Sequence, residues 1–199
     1  MKKAQNNYAD HSFVNYKIIK MKNRLFILIL FSGAFANAQS EITKTKLAEI
    51  NTEVTKETTK YKDSLTKAGG TYLDPLDIEF KTDIFKIEQT LKKKIDIDYT
   101  TAGITTYVVE LEKDYDKLLN KYYAILLKKL SSKDQEKLKV TQRNWLKFRD
   151  SEIEMIDVVS KDEYSGGGTI QSNIQASRIK DLTEARLQDI KNHLNQFMD

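Results

Sequence analysis

From about residue 41 onward, apolar residues recur three and four positions apart, the period of an amphipathic helix rather than the alternation of a strand. Leu47, Ile50, Val54, Tyr61 and Leu65 form a first stripe, and Leu76, Phe80, Ile84, Ile87, Leu91 and Ile95 a second. Val108, Leu111, Tyr115, Leu118, Tyr122 and Leu126 form a third. Leu138, Trp145 and Ile156 mark a fourth, and Ile170, Ile174, Leu182, Ala185 and Ile190 a fifth that ends near Phe197. The helix breakers fall between the stripes, at Gly69-Gly70, Pro75, Gly103 and Gly166–Gly168. Asp74 ahead of Pro75 reads as an N-cap with proline at the first helical position. Ser132 with Gln135 reads as a capping box opening the fourth helix. The pattern predicts five helices at about 41–67, 75–95, 103–130, 133–161 and 170–197. Only the short segment Thr105–Glu110 alternates enough to suggest a strand. The expected fold is an all-α bundle of about five long helices, without disulfides because the chain has no cysteine.

The first 40 residues change the charge picture. Lys22 and Arg24, an apolar run from Leu25 to Phe31, and Ala36-Asn37-Ala38 have the layout of a secretory signal peptide cleaved after Ala38. The apolar run is too short to cross a bilayer, which takes about 20 residues. Met21 heads this segment, so residues 1–20 read as an extension from a misannotated start. Removing residues 1–38 takes away six of the 33 basic residues and one of the 29 acidic ones. That leaves 27 against 28, a net charge of −1 in place of +4. The basic balance therefore belongs to the leader, and a nucleic-acid partner drops out. The expected organisation is an extension at 1–20, a signal peptide at 21–38, a two-helix segment at 39–100 and a helical domain at 101–199. The mature chain would be periplasmic or secreted.

Catalytic chemistry is scarce. After residue 38 the only histidine is His193, and there is no cysteine, so thiol nucleophiles and His/Cys metal sites are excluded. A serine triad would have to use His193 in the last turns of the last helix. Asp96-Ile97-Asp98 opens like a calcium loop, but Thr101 stands where glycine is needed and Tyr107 where a bidentate glutamate belongs. The glycines at 166–168 lack the lysine and the preceding strand of a phosphate loop. Enzyme is the weakest class, and no metal or cofactor is expected.

Four motifs occur in order: Asp116-x-x-Leu119-Asn120-x-x-Tyr123, Gln142-x-x-Trp145-x-x-x-Arg149-Asp150, Gly167-Gly168-Thr169 and Leu182-Thr183-x-x-Arg186. Together they resemble the lysozyme-inhibitor LprI-like domain family of exported bacterial proteins, over about Tyr107 to Leu194. The resemblance implies a helical exported domain, and lysozyme inhibition is the activity attached to the family's name. It also implies cysteines that this chain lacks: Ile153 stands at one such position, and Ser177-Arg178 near the other.

Gln142, Trp145 and Arg149 share one helical face with Ile153 and Ile156. That face is either a binding site or a core stripe with a polar network built in. In the second reading Asp116 and Asn120 from one helix, and Thr183 and Arg186 from another, satisfy Gln142 and Arg149. Arg149 is expected to pair with Asp116 or Glu152. A second candidate is the connection Tyr164-Ser165-Gly166-Gly167-Gly168-Thr169, preceded by the carboxylates of Asp150, Glu152, Glu154, Asp157, Asp162 and Glu163. It reads either as a plain helix connection or as a tip that enters a lysozyme cleft, with exposed N–H donors behind an acidic collar. Two functions follow: an exported inhibitor whose partner is a lysozyme, or a structural adaptor bundle of the envelope that uses helix 41–67 to assemble with itself or with partners.

Overall fold

The stripes predict the helices to within a few residues. The structure, a computed structural model, describes residues 42–69 and 73–197. The 1–20 extension, the signal segment and its cleavage residues Ala36 and Ala38 lie outside the described residues. Six helices follow in order: α1 (Lys44–Gly69), α2 (Pro75–Ile97), α3 (Thr101–Lys129), α4 (Ser132–Val159), the single turn α5 (Asp162–Ser165) and α6 (Ile170–Leu194). No strand occurs among the described residues, and Thr105–Glu110 lies inside α3. The fold is an all-α bundle.

Capping explains the boundaries. The Asp74 carboxylate accepts from the Leu76 amide at 2.7 Å, with Pro75 at the first position. Thr100 caps α3, its hydroxyl accepting from the Gly103 amide at 3.0 Å. The fourth helix starts one residue before the expected box. Its cap is Ser131, whose hydroxyl accepts from the Asp134 amide and donates to the Asp134 carboxylate. Gln135 instead donates to the Leu130 carbonyl.

Pairwise contacts give the helix directions. Lys93 meets Glu53 and Glu57, and Tyr61 stacks on Phe85 with centroids 4.3 Å apart, so α1 and α2 are antiparallel. Glu88 meets Tyr115 and Asp83 meets Tyr122, so α2 and α3 are antiparallel. Gln142 meets Arg186 and Asp157 meets Gln175, so α4 and α6 are antiparallel. In contrast, α3 and α6 run parallel: Thr105 touches Asn173, Glu112 touches Thr183, and Lys129 lies over the Phe197 ring. The core forms where α2, α3 and α6 meet, around Phe80, Leu111, Tyr115, Leu119, Tyr122, Leu126, Leu187, Ile190 and Leu194, with Leu138 of α4 closing one side.

The last helix departs from expectation. Ile170 and Ile174 are about half exposed, and Ala185 is also exposed. The buried face of α6 instead carries Ala176, Thr183, Arg186, Leu187, Ile190, Lys191 and Leu194. Three polar side chains on that face, Thr183, Arg186 and Lys191, hid it from the hydrophobic pattern. On α1, Ile50 and Val54 are buried against α2, which occupies the stripe considered for self-association.

Candidate functional site

The half-buried residues of α4 meet polar groups of α3 and α6. Gln142, Trp145 and Arg149 all turn toward the bundle while Arg143, Asn144, Lys147 and Phe148 face out. Trp145 packs against the edge of the core rather than within it. Two guanidinium groups flank its ring, Arg149 at 5.2 Å and Arg186 at 5.9 Å from the centroid. Arg186 Nε donates to the Gln142 side-chain carbonyl at 3.0 Å. Asn120 donates to the Asp116 carboxylate at 3.1 Å. Arg149 sits 3.9 Å from Asp116 and 3.2 Å from Asp150, and it has no contact with Glu152 among its ion pairs. Tyr123 packs against the core nearby, and burial pushes its phenol pKa up.

The more deeply buried arginine is Arg186, whose side chain keeps 6% of its exposure against 17% for Arg149. Its Nη2 has no hydrogen-bond partner among the described residues. Burial lowers its pKa, partly offset by Asp189. Thr183 is fully buried and donates to Glu112 at 3.0 Å. Burial pushes the Glu112 carboxyl above the ordinary glutamate value, with the Thr183 bond opposing. Glu112 escaped sequence reading, although it lies one turn before Asp116 on the same face. Lys191 also escaped it. It is almost fully buried yet paired with Asp77 and Asn195, and lone lysines in a helix read as solvent-facing.

The connection between α4 and α6 is built differently from expectation. Its three glycines all have positive φ, at 76°, 75° and 93°, where side chains are strained. The Gly166 amide donates to the Asp162 carbonyl and the Gly167 amide to the Ser165 hydroxyl. Ser165 also donates to the Ser160 carbonyl. The amides of 166 and 167 are therefore spent within the loop and are not free donors. Tyr164, on the turn α5, is 65% exposed, and Thr169 is exposed beside it.

A third feature gathers at this end of the bundle. The antiparallel and parallel pairings place the starts of α1, α3 and α6 and the ends of α2 and α4 together. Exposed large apolar side chains concentrate there: Leu47, Tyr99, Val109, Met155, Val158, Tyr164, Ile170 and Ile174. Only Val140 and Phe148, on the outer face of α4, lie elsewhere among the prominent ones. Asp98 ties this end together. It accepts from the Thr100 amide and hydroxyl and from Tyr107, and these bonds hold its carboxyl below the ordinary aspartate value.

Among the described residues, no group of three or more His, Cys, Asp or Glu is arranged to hold a metal ion. No described helix is long and apolar enough to cross a membrane. No curated protein and no solved structure matches the chain. Residues 93–190, from the last turns of α2 to near the end of α6, match the family model for lysozyme inhibitor LprI. The segment that holds the Gln142, Trp145 and Arg149 face is therefore similar to the LprI family, over a little under half of the chain.

Proposed function

We propose that the protein is an exported inhibitor that binds a lysozyme through the end of the bundle where α4 and α6 are joined. The observation that carries this reading is the concentration of exposed apolar side chains at that end. Isolated exposed apolar residues need no explanation, whereas a group of them at one site marks an interaction surface. Tyr164 is the most prominent residue on the connecting segment, an amphipathic ring of the type that anchors interfaces. Asp162 and Glu163 stand exposed next to it in the chain, and Asp150, Glu154 and Asp157 are exposed along the part of α4 that leads to it. Such a rim speeds encounter with a cationic enzyme in a salt-dependent way. The glycine turn, with the Gly166 and Gly167 amides bonded within it, sets the tip, and contact is made by side chains rather than by those amides. Gln142, Trp145, Arg149, Asp116, Asn120, Thr183 and Arg186 then serve as the register-fixing network behind that surface.

The test is turnover by lysozymes of several classes with excess protein, at low and high salt. Inhibition is expected at low salt, weakened by added salt, and reduced at least about tenfold by Tyr164→Ala, the loss of about 1.4 kcal/mol of binding. Full lysozyme activity in every class at low salt would reject the proposal. Gly167 is a poor probe. Its φ of 75° and the Asp162 carboxylate 3.0 Å from any added Cβ tie a substitution to folding as well as to binding. The adaptor reading has less support, because the apolar face of α1 is already used by α2.

A further inference from the structure

The outer side of α4 carries a pattern of its own. Of the helix's 28 residues only Leu138 and Ile156 are buried. Val140, Asn144, Phe148, Ser151, Met155 and Val158 recur three and four apart on the side turned away from the bundle. All six are exposed, and Phe148 and Met155 keep about half of their surface. Charge is split along the same helix. From Lys133 to Lys147 there are five basic residues against two acidic ones, and from Asp150 to Asp157 four acidic residues with no base. Beside the apolar stripe, Arg143, Lys147, Asp150 and Glu154 form one exposed row. Arg143 and Lys147 are like charges one turn apart, as are Asp150 and Glu154, and such spacings destabilise a lone helix. Arg143, Lys147 and Glu154 make no ion pair among the described residues, and Asp150 pairs only with Arg149.

We propose that this face pairs with the same face of a second copy of the chain, the two α4 helices running antiparallel. The charge split selects that occupant. A two-fold axis near Phe148 sets the basic half of each helix against the acidic half of the other, whereas a parallel pair sets like charge on like. Arg143 and Lys147 then meet Glu154 and Asp150 of the second copy, and symmetry supplies the reciprocal pairs. Val140 comes opposite Met155, and the two Phe148 rings lie beside the axis, which removes from water the apolar surface that one helix leaves exposed. A single helix face is small against a standard interface of about 1,600 Å². The dimer is therefore a weak one, forming at roughly tens to hundreds of micromolar and giving way to monomer below about 10 µM. Asp150, Glu154, Met155 and Val158 are shared with the surface proposed for lysozyme, so the two partners compete for them. Val140, Arg143, Lys147 and Phe148 belong to the dimer alone, and the pairing does not rest on lysozyme binding.

The test is sedimentation equilibrium of the full mature chain from about 5 µM to about 1 mM, the window of a weak interface. A reversible monomer–dimer equilibrium is expected, weakened about tenfold by Phe148→Ala, with unchanged melting at the dilute end. The double variants Arg143→Glu with Lys147→Glu, and Asp150→Lys with Glu154→Lys, should each stay monomeric alone, because the exposed row becomes wholly acidic in one and wholly basic in the other. Mixed in equal amounts, they should associate at least as readily as wild type, since every facing pair is then opposite in charge. A wild-type dimer that both double variants retain would overturn the pairing and place the contact on another face. Two monomeric variants that stay apart when mixed would overturn the antiparallel charge match. A wild-type chain still monomeric at about 1 mM would overturn self-pairing altogether and leave the face to a foreign helix.

Discussion

Arg149 and Arg186 look alike in sequence and differ in what their removal leaves behind. The carboxylates facing Arg149 remain well exposed, Asp116 at 43% and Asp150 at 65% of their side-chain surface. Arg149→Ala therefore breaks no buried ion pair, and the expected cost is only ~1 kcal/mol, that of a surface pair. Arg186 is buried, and its truncation to alanine opens space beside Trp145. A methionine fills most of that space without a charge to desolvate. Arg186→Met is expected to be more stable than Arg186→Ala by at least about 1 kcal/mol, and denaturant melts of the pair decide it. Gly103 is the other position where one atom matters. A Cβ there would lie 2.2 Å from the Asp98 carboxylate. Gly103→Ala is expected to cost ~1–3 kcal/mol, the range of overpacking. A melt within a degree of wild type would show that Asp98 moves aside freely.

At the scale of elements, α2 is integral to the core and α1 is not. Phe80 packs edge-on against the Tyr122 ring at 4.9 Å, and Asp83 and Glu88 accept from the buried Tyr122 and Tyr115 hydroxyls. Deleting residues 39–69 is expected to leave a monomer that unfolds cooperatively at a lower temperature. Deleting residues 39–92 uncovers Tyr115, Tyr122 and Leu187 and should give aggregates, read by light scattering. A soluble, cooperative 93–199 fragment would refute this division. The helices themselves were legible because glycine, proline and caps punctuate regular apolar stripes. The pairing of Gln142 with Arg186 was accessible from motif spacing, since both lie on faces that point inward. The burial of Lys191 on α6 was not, because hydrophobic periodicity discards a long polar side chain whose stem packs and whose head finds partners. The exposed apolar end was hidden for another reason. It joins residues as distant as Leu47 and Ile174, which only the helix directions bring together.

The molecule as a whole carries opposing acid responses. Asp98, Asp134 and Glu136 hold their protons less tightly than free carboxyls, through bonds to Thr100, Ser131 and Lys139 respectively. Their stabilisation is present above their ordinary values of 3.8 and 4.5 and is lost as pH falls through the lowered ones. Glu112 behaves in reverse. Its folded pKa lies above 4.5, so the native state binds the extra proton and stability falls as pH rises through that window. Glu112→Gln keeps an acceptor for Thr183 and removes the titration. The variant should melt higher than wild type near pH 7, with the difference disappearing as pH drops below the ordinary glutamate range. A constant offset across that range would assign the effect to packing instead.

The parallel pairing of α3 with α6 also fixes the order in which the bundle is able to assemble. Its contacts join residues 68 to 71 positions apart, as in Thr105 with Asn173 and Glu112 with Thr183. Helical bundles owe their usual speed to local contacts between sequential helices. Here α1 with α2 and α2 with α3 form early by that rule, but the α3–α6 seam must wait for the whole of α4 to be in place. A chain made from its N-terminus therefore holds one side of α3 open until Leu194 has been synthesised. The step that closes this protein is a long-range loop closure, and it comes last.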